Sequence, residues 1–323
     1  MLFQEKMTHY LKAGIPFFFL IDFTKERQLA LTYEEAAQQD IYFDIKGTTN
    51  TTSQLRTGAL PEHLSLQTKP IPPETYRRAF DRVKRELGLG NSFLLNLTFA
   101  TEITPSVDLN TIFQVAKAPY KLRYKDEFVV FSPECYLQIK DGHVYSYPMK
   151  GTINGALPHA EQQLMESPKE RYEHNTIVDL IRNDLSLMAK EVTVTKFRYL
   201  ESIKNTQGTI LQTSSEIRGK LPNHWQDQFA ERLLHSLPAG SISGAPKAKT
   251  VEIINQVESR PRGFYTGIFG ISDGTTMDSA VNIRYIEKQQ GNHYFRSGGG
   301  LTHLSQWEDE YKELNEKIQV PTL

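Results

Sequence analysis

Two glutamates on the inward face of a helix constrain this chain more than any other feature. From about 165 to 190 the sequence follows a helical pattern, and Glu170 and Glu173, three apart in "ERYEHNTIVDLIRNDL", share one face. At about 100° per residue, Ile177, Leu180, Ile181 and Met188 fall on that same face. A carboxylate buried alone is costly, so the pair calls for cations or a metal where a core should be. The last helix, expected from about Ser305 to Ile318, repeats the spacing with Glu310 and Glu313. Its apolar stripe is Trp307, Tyr311, Leu314 and Ile318. Glu310 borders that stripe and Glu313 lies one step beyond, so periodicity puts this second pair in solvent. Were both pairs to meet across a cleft, the donors would all be oxygen, which suits Mg²⁺. A di-iron bundle would need Glu-x-x-His on two helices, which these helices lack.

Strands and helices alternate irregularly around these two helices. "GIPFFFLIDF" is a short apolar run ending at Asp22, and it reads as a buried strand, not a signal peptide or membrane span. Residues 47–75, rich in Thr and Pro, read as a loop or connecting arm. A helix is expected over about Pro73–Leu87, a strand at "SFLLNLTFATEI", and strand–turn–strand at "EFVVFSPECYLQIKDGHVYSYPMKGTI". The pattern is helical from about His159 to Ala189. Strand-like stretches follow at 192–197 and in "GTILQTSSEIRGKL", then helices near 225–235 and 246–257. "FYTGIFGIS", "SAVNIRYIE" and "HYFRSGG" read as antiparallel strands. Without strict βα alternation, the order favours an α+β fold over a doubly wound sheet. Residues 1–75 are expected to be a short strand-and-loop region of the same unit as a catalytic domain at 76–323.

Net charge excludes two function classes. With 323 residues and a formal charge of −1, the chain lacks the basic excess behind nucleic-acid or membrane-surface affinity. Cys135 is the one cysteine, so neither an internal disulfide nor a Cys-rich zinc site can form. A cytoplasmic protein is expected.

Three loops carry further candidates. "YPMKGTING" places Lys150 between Pro and Gly-Thr, which taken alone reads as a solvated surface turn. "PAGSISGAPKAKT" lacks the P-loop spacing, since Lys247 follows no glycine, yet a Gly/Ser loop entering a helix can hold an anion on its N–H groups. "SGGG" at 297–300 is either a flexible turn or a place where backbone N–H donors approach a ligand. Arg284 stands in an expected strand, where an inward guanidinium would want an anion and an outward one would carry no meaning.

These segments resemble the chorismate-utilising enzyme family, which includes anthranilate synthase component I and aminodeoxychorismate synthase component I. The motifs run in order from about Leu94 to Ile318: "FQV", "SPECYL", "PMKGT", "ERYEHNTIVDLIRNDL", "AGSISGAPK", "YTGIFGISDGTTMDSAVNIR" and "SGGGLTHLSQWEDEYKE". The resemblance implies two antiparallel sheets with helices outside and the active-site cleft between. It implies that Glu173 and Glu313 contact Mg²⁺, with Glu170 and Glu310 nearby or bridged by water. The metal would hold the ring carboxylate of chorismate with N–H groups of Gly298, Gly299 and Gly300, while Tyr265 and Arg284 hold the enolpyruvyl carboxylate. Ser243, Thr152 and Lys247 lie in matching motifs and are carried over as substrate-binding residues.

Within the family, Lys150 resembles the lysine of relatives that make aminodeoxychorismate, where anthranilate synthases usually carry Ala. Gln114 stands where water-using relatives carry a lysine base, and Gln212 falls near a histidine position of anthranilate synthases. Both are kept as substrate-binding candidates. Glu134 aligns with the family's acid/base glutamate. The resemblance implies that Lys150 attacks C2 and ammonia then adds at C4. The lysine is expected to have a lowered pKa and Glu134 to be protonated beside it. It further implies ammonia from a separate glutaminase subunit and a downstream pyridoxal-dependent lyase. Anthranilate synthase component I, or a non-catalytic chorismate-binding subunit, is the alternative.

Overall fold

Phe17–Ile21 form the first strand, β1, and all five side chains are buried. The reason is that β1 is covered on both faces. Phe17, Phe19 and Ile21 join the main core, whereas Phe18 and Leu20 join a second core on the opposite side. Alternate residues of a strand point to opposite faces, so a strand buried twice must be apolar throughout. Each such side chain contributes about 1.5–3 kcal/mol of transfer free energy.

The structure is a computed structural model and describes residues 2–51, 64–205 and 208–322. It has two nine-stranded sheets, antiparallel at every pairing among the described residues. In the first, β1 pairs with β2 (Gln28–Thr32) and β15 (Ile268–Ser272). The sheet continues through β16 (Met277–Val281), β9 (Cys135–Lys140), β10 (His143–Ser146) and β13 (Gly208–Lys220) to β11 (Met149–Asn154), with β12 (Lys190–Asn205) also on β13. The second runs from β14 (Gly244–Ala245) through β6 (Leu94–Pro105), β18 (Asn292–Leu301), β17 (Tyr285–Gln289), β8 (Phe128–Ser132), β7 (Tyr120–Tyr124) and β3 (Ile41–Ile45) to β4 (Thr48–Thr49). β5 (Leu66–Lys69) flanks β6.

The second core lies between the sheets, where Phe18 and Leu20 of β1 meet Phe43, Leu122, Phe128 and Tyr285. The main core lies under helices that cover the sheets: α1 (Phe3–Ala13), α3 (Pro73–Gly88), α6 (Pro168–Ser186), α7 (Phe229–Ser236) and α8 (Lys247–Val257). α4 (Leu109–Val115) covers the outer face of the second sheet. The α+β class with two antiparallel sheets is as the sequence predicts.

Several boundaries differ from expectation. The single helix expected over 159–189 is two, α5 (Ala160–Glu166) and α6, because Pro168 must open a helix and Ser167 caps it by accepting the Glu170 N–H at 3.3 Å. The strand expected at 279–287 breaks into β16 and β17, with Arg284 at a left-handed φ of 52° between them. α1 and α2 (Tyr33–Gln38) were not foreseen, although Met7, Tyr10 and Leu11 have the spacing of one helical face. The loop expected over 47–75 falls in part on 52–63, outside the described residues; β4 and β5 occupy its ends. No helix among the described residues is long and apolar enough to cross a membrane.

Candidate active-site cleft

A cavity of about 340 Å³ opens between the two sheets at one end. β11 enters it from the first sheet and carries Lys150 and Thr152, with a bulge between them. Gln212, opposite Thr152 on β13, lines the same wall. The N-terminal half of α6 contributes Glu170 and Glu173, and α9 (Trp307–Glu316) contributes Glu310 and Glu313. So the two glutamate pairs do face each other across one space.

Their burial is uneven. Glu173 and Glu310 are 6% and 5% exposed. Glu313 is about half exposed, at 52% of its side chain. The expectation that the second pair is solvated therefore holds for Glu313 and is corrected for Glu310. The Glu310 position borders the apolar stripe, and the helix rotates it inward with Leu314.

Three of the four carboxylates lean on lysines. Lys150 Nζ is 3.5 Å from Glu173, Lys169 Nζ is 3.4 Å from Glu310, and Lys317 Nζ is 2.6 Å from Glu313. Burial pushes the Glu173 and Glu310 carboxyls up, and a neighbouring glutamate adds to each shift. Desolvation also pushes Glu313 up, but Lys317, Lys150 and Lys169 together outweigh it and hold that carboxyl below the usual range. Burial works to lower Lys150, yet Glu173, Glu313, Glu310 and Glu170 together outweigh it and leave its pKa raised. The lowered lysine pKa expected from sequence is thus corrected: the four carboxylates outweigh burial.

Glu134 sits in the turn between β8 and β9, and Ser241 donates its hydroxyl to Glu134 Oε1 at 2.7 Å. Burial raises this carboxyl, more than the Ser241 hydrogen bond, Lys150 and Lys317 lower it.

The glycines at 298–300 are strand, not turn. Asn96 donates its backbone N–H to Ser243 O at 2.9 Å, and Thr98 donates its own to Glu258 at 2.9 Å. Both therefore point away from β18, so their opposite residues Gly300 and Gly298 also point away from β6. β17 pairs with β18 only as far as Arg296, so that side of Gly298 and Gly300 is open to the cleft. Lys317 Nζ reaches it and donates to Gly298 O at 2.7 Å. Gly299 is bonded into the ladder, which leaves two outward N–H groups where three were expected. At Gly300 a Cβ would lie 3.1 Å from Lys150 Nζ, so the bare backbone makes room for the amine.

Tyr265 and Arg284 line the far wall. Burial pushes the Tyr265 hydroxyl up to about 12. Arg284 donates to Lys317 O at 2.7 Å.

Three expected site residues are not among those lining the cleft. The Ser243 hydroxyl is fully buried and donates to Ala239 O at 2.7 Å; Ser241, two residues earlier, faces the cleft instead. Lys247 donates to Asp184 Oδ1 and to Ser236 O, each at 2.5 Å. Gln114 lies on α4 beside the outer core. Residues missed from sequence are Lys169, Lys317, Arg296, Asn96 and Ser241. Two had a signal: Lys317 follows Glu313 by one helical turn, and Lys169 adjoins Glu170.

The donor set suits a hard cation. It is all oxygen, and Glu173 Oε1 is buried without a hydrogen-bond partner. The side chains are nonetheless spread onto lysines: no three His, Cys, Asp or Glu groups converge to hold a metal among the described residues.

Comparison with known proteins follows the same lines. The profile of a family described as chorismate binding enzyme matches residues 14–322. An uncharacterized PabA-like protein of Haemophilus influenzae is 53% identical over 99% of this chain and 96% of its own length. Aminodeoxychorismate synthase component 1 of Klebsiella aerogenes is 31% identical over 76% of this chain and 56% of its own length. The menaquinone-specific isochorismate synthase of Escherichia coli superposes with a TM-score of 0.73 at 16% identity, covering 98% of this chain and 82% of that one.

Proposed function

The chain belongs to the chorismate binding enzyme family, and from that membership we propose that it is an aminodeoxychorismate synthase component, aminating chorismate at C4 with ammonia. The observation that carries this reading is the place of Lys150. Its amine stands inside the cleft, 3.5 Å from Glu173 and against Gly300, where a solvated turn lysine would not be.

In this reading Glu173 and Glu313, with Glu170 and Glu310 nearby, would hold Mg²⁺, and the orphaned Glu173 Oε1 is the donor that favours it. The bound cation would neutralise the carboxylates that keep Lys150 protonated. Gly298 and Gly300 N–H groups hold one substrate carboxylate, and Tyr265 and Arg284 the other. The neutral Lys150 amine bonds to C2, the two conjugated ring double bonds each shift by one position, and the C4–oxygen bond breaks. Glu134 protonates the leaving hydroxyl, which departs as water. Ammonia then adds at C4, both double bonds return to their places, Lys150 is expelled as the neutral amine, and Glu134 takes the surplus proton. A separate glutaminase subunit would supply the ammonia, and a pyridoxal-dependent lyase would use the product.

Two variants check the parts. Glu134→Gln keeps a hydrogen-bonding shape but cannot cycle a proton, so kcat is expected to fall by about 10²-fold or more in steady-state assays. Gly300→Ala is expected to lower kcat about tenfold by displacing the amine, with a melting temperature within about 3 °C of wild type, because the clashing atom is a flexible side-chain end. The reading itself is tested by ammonium-dependent chorismate consumption with product mass. Aminodeoxychorismate, which keeps the enolpyruvyl group, supports it; anthranilate overturns the C4 assignment.

A further inference from the structure

The loop between α7 and α8, residues 237–246, is tied down by an ion pair between buried Asp184 and partly exposed Lys247 that the chemistry above does not use. Asp184, 5% exposed on the C-terminal half of α6, accepts from Lys247 Nζ at 2.5 Å on one oxygen. On the other it accepts the Gly240 backbone N–H at 2.9 Å. A Cβ at Gly240 would stand 3.2 Å from that oxygen and 3.1 Å from Leu180 Cβ, so glycine lets the loop press against the helix. The next residue is Ser241, the loop side chain that bonds Glu134.

Neither partner is explained by stability. An ion pair with one buried and one partly exposed partner gains little, because desolvation and solvent screening offset the attraction. Lys247 is also the first residue of α8, where the helix dipole disfavours a cation. What the pair does provide is a distance constraint. α6 carries Glu173 and Asp184 about 16 Å apart along one rigid rod. One end sets the carboxylates and the other sets the loop.

We propose that the Asp184–Lys247 pair is a positioning device, fixing the backbone at Gly240 so that the Ser241 hydroxyl stays on Glu134 and keeps that carboxyl aligned with the Lys150 side of the cleft. The inference rests on the acid/base reading of Glu134 given above. Lys247 thereby acts through Ser241 and never touches substrate.

A double-mutant cycle on the purified chain tests it, using Lys247→Met, Ser241→Ala and the double variant with chorismate, Mg²⁺ and ammonium. Lys247→Met is expected to lower kcat about ten- to a hundredfold while KM for chorismate moves less than about twofold. Ser241→Ala loses a similar factor. The double variant loses no more than about twofold beyond the worse single, because both remove the same alignment. Lys247→Arg, which keeps a cation for Asp184, recovers most of the rate. Should Lys247→Met fail to fold because it strands Asp184, the variant Lys247→Met with Asp184→Leu buries no charge and enters the same cycle. Losses that multiply in the double variant overturn the positioning role while the wild-type turnover still stands. A wild-type chain with no turnover overturns the functional reading, and the positioning role with it.

Discussion

Replacing Lys150 with alanine is expected to lower ammonium-dependent chorismate turnover at least about a thousandfold, the scale at which removal of a covalent nucleophile acts. The expectation follows from place and surroundings. The amine is bounded by Glu173, Gly300 and the Glu134 side of the cleft, and it lies in the motif position of the nucleophilic lysine. Lys169 is held by Glu310, and Lys317 by Glu313 and the Gly298 carbonyl. Intact-protein mass spectrometry adds a second readout. Wild type incubated with chorismate and Mg²⁺ but no ammonium is expected to gain the mass of chorismate less water, and the Lys150→Ala protein to gain nothing. Full turnover by Lys150→Ala would mean that ammonia attacks the ring directly.

The second large effect is on stability. Arg262→Met is expected to cost about 3–5 kcal/mol in chemical denaturation, because it leaves Glu258 charged and buried. The two side chains are 1% and 4% exposed and 2.7 Å apart. Arg262 also donates to Ile242 O at 2.8 Å and Asn96 O at 2.6 Å, while Glu258 accepts from the N–H and hydroxyl of Thr98. The pair thus joins α8, β6 and the Ser241 loop behind the cleft. Arg262→Met combined with Glu258→Gln is expected to recover part of the loss, since the stranded charge is removed.

What the sequence discloses follows from what one residue's neighbours in the chain can report. β1 was legible because burial on both faces forces an unbroken apolar run. Glu173 was legible because helical periodicity places it with Ile177 and Ile181, and both of those are buried. Glu310 was misjudged by the same rule: a residue at the edge of a stripe is turned in or out by the partner helix, which periodicity does not contain. Lys247 and Ser241 show the other limit. Both sit in one loop motif, and only the fold decides that the serine meets Glu134 while the lysine turns back to Asp184. The break at Arg284 was hidden because its flanks, "SAV" and "YIE", each read as strand, and nothing local marks a left-handed residue between them.

The central claim is amination at C4, and the most direct measurement is to supply isotopically labelled ammonium with chorismate and Mg²⁺ and locate the label in the product by NMR. The account predicts the labelled nitrogen on C4 of a ring that still carries its enolpyruvyl ether. Label on C2, or a labelled anthranilate, would contradict it.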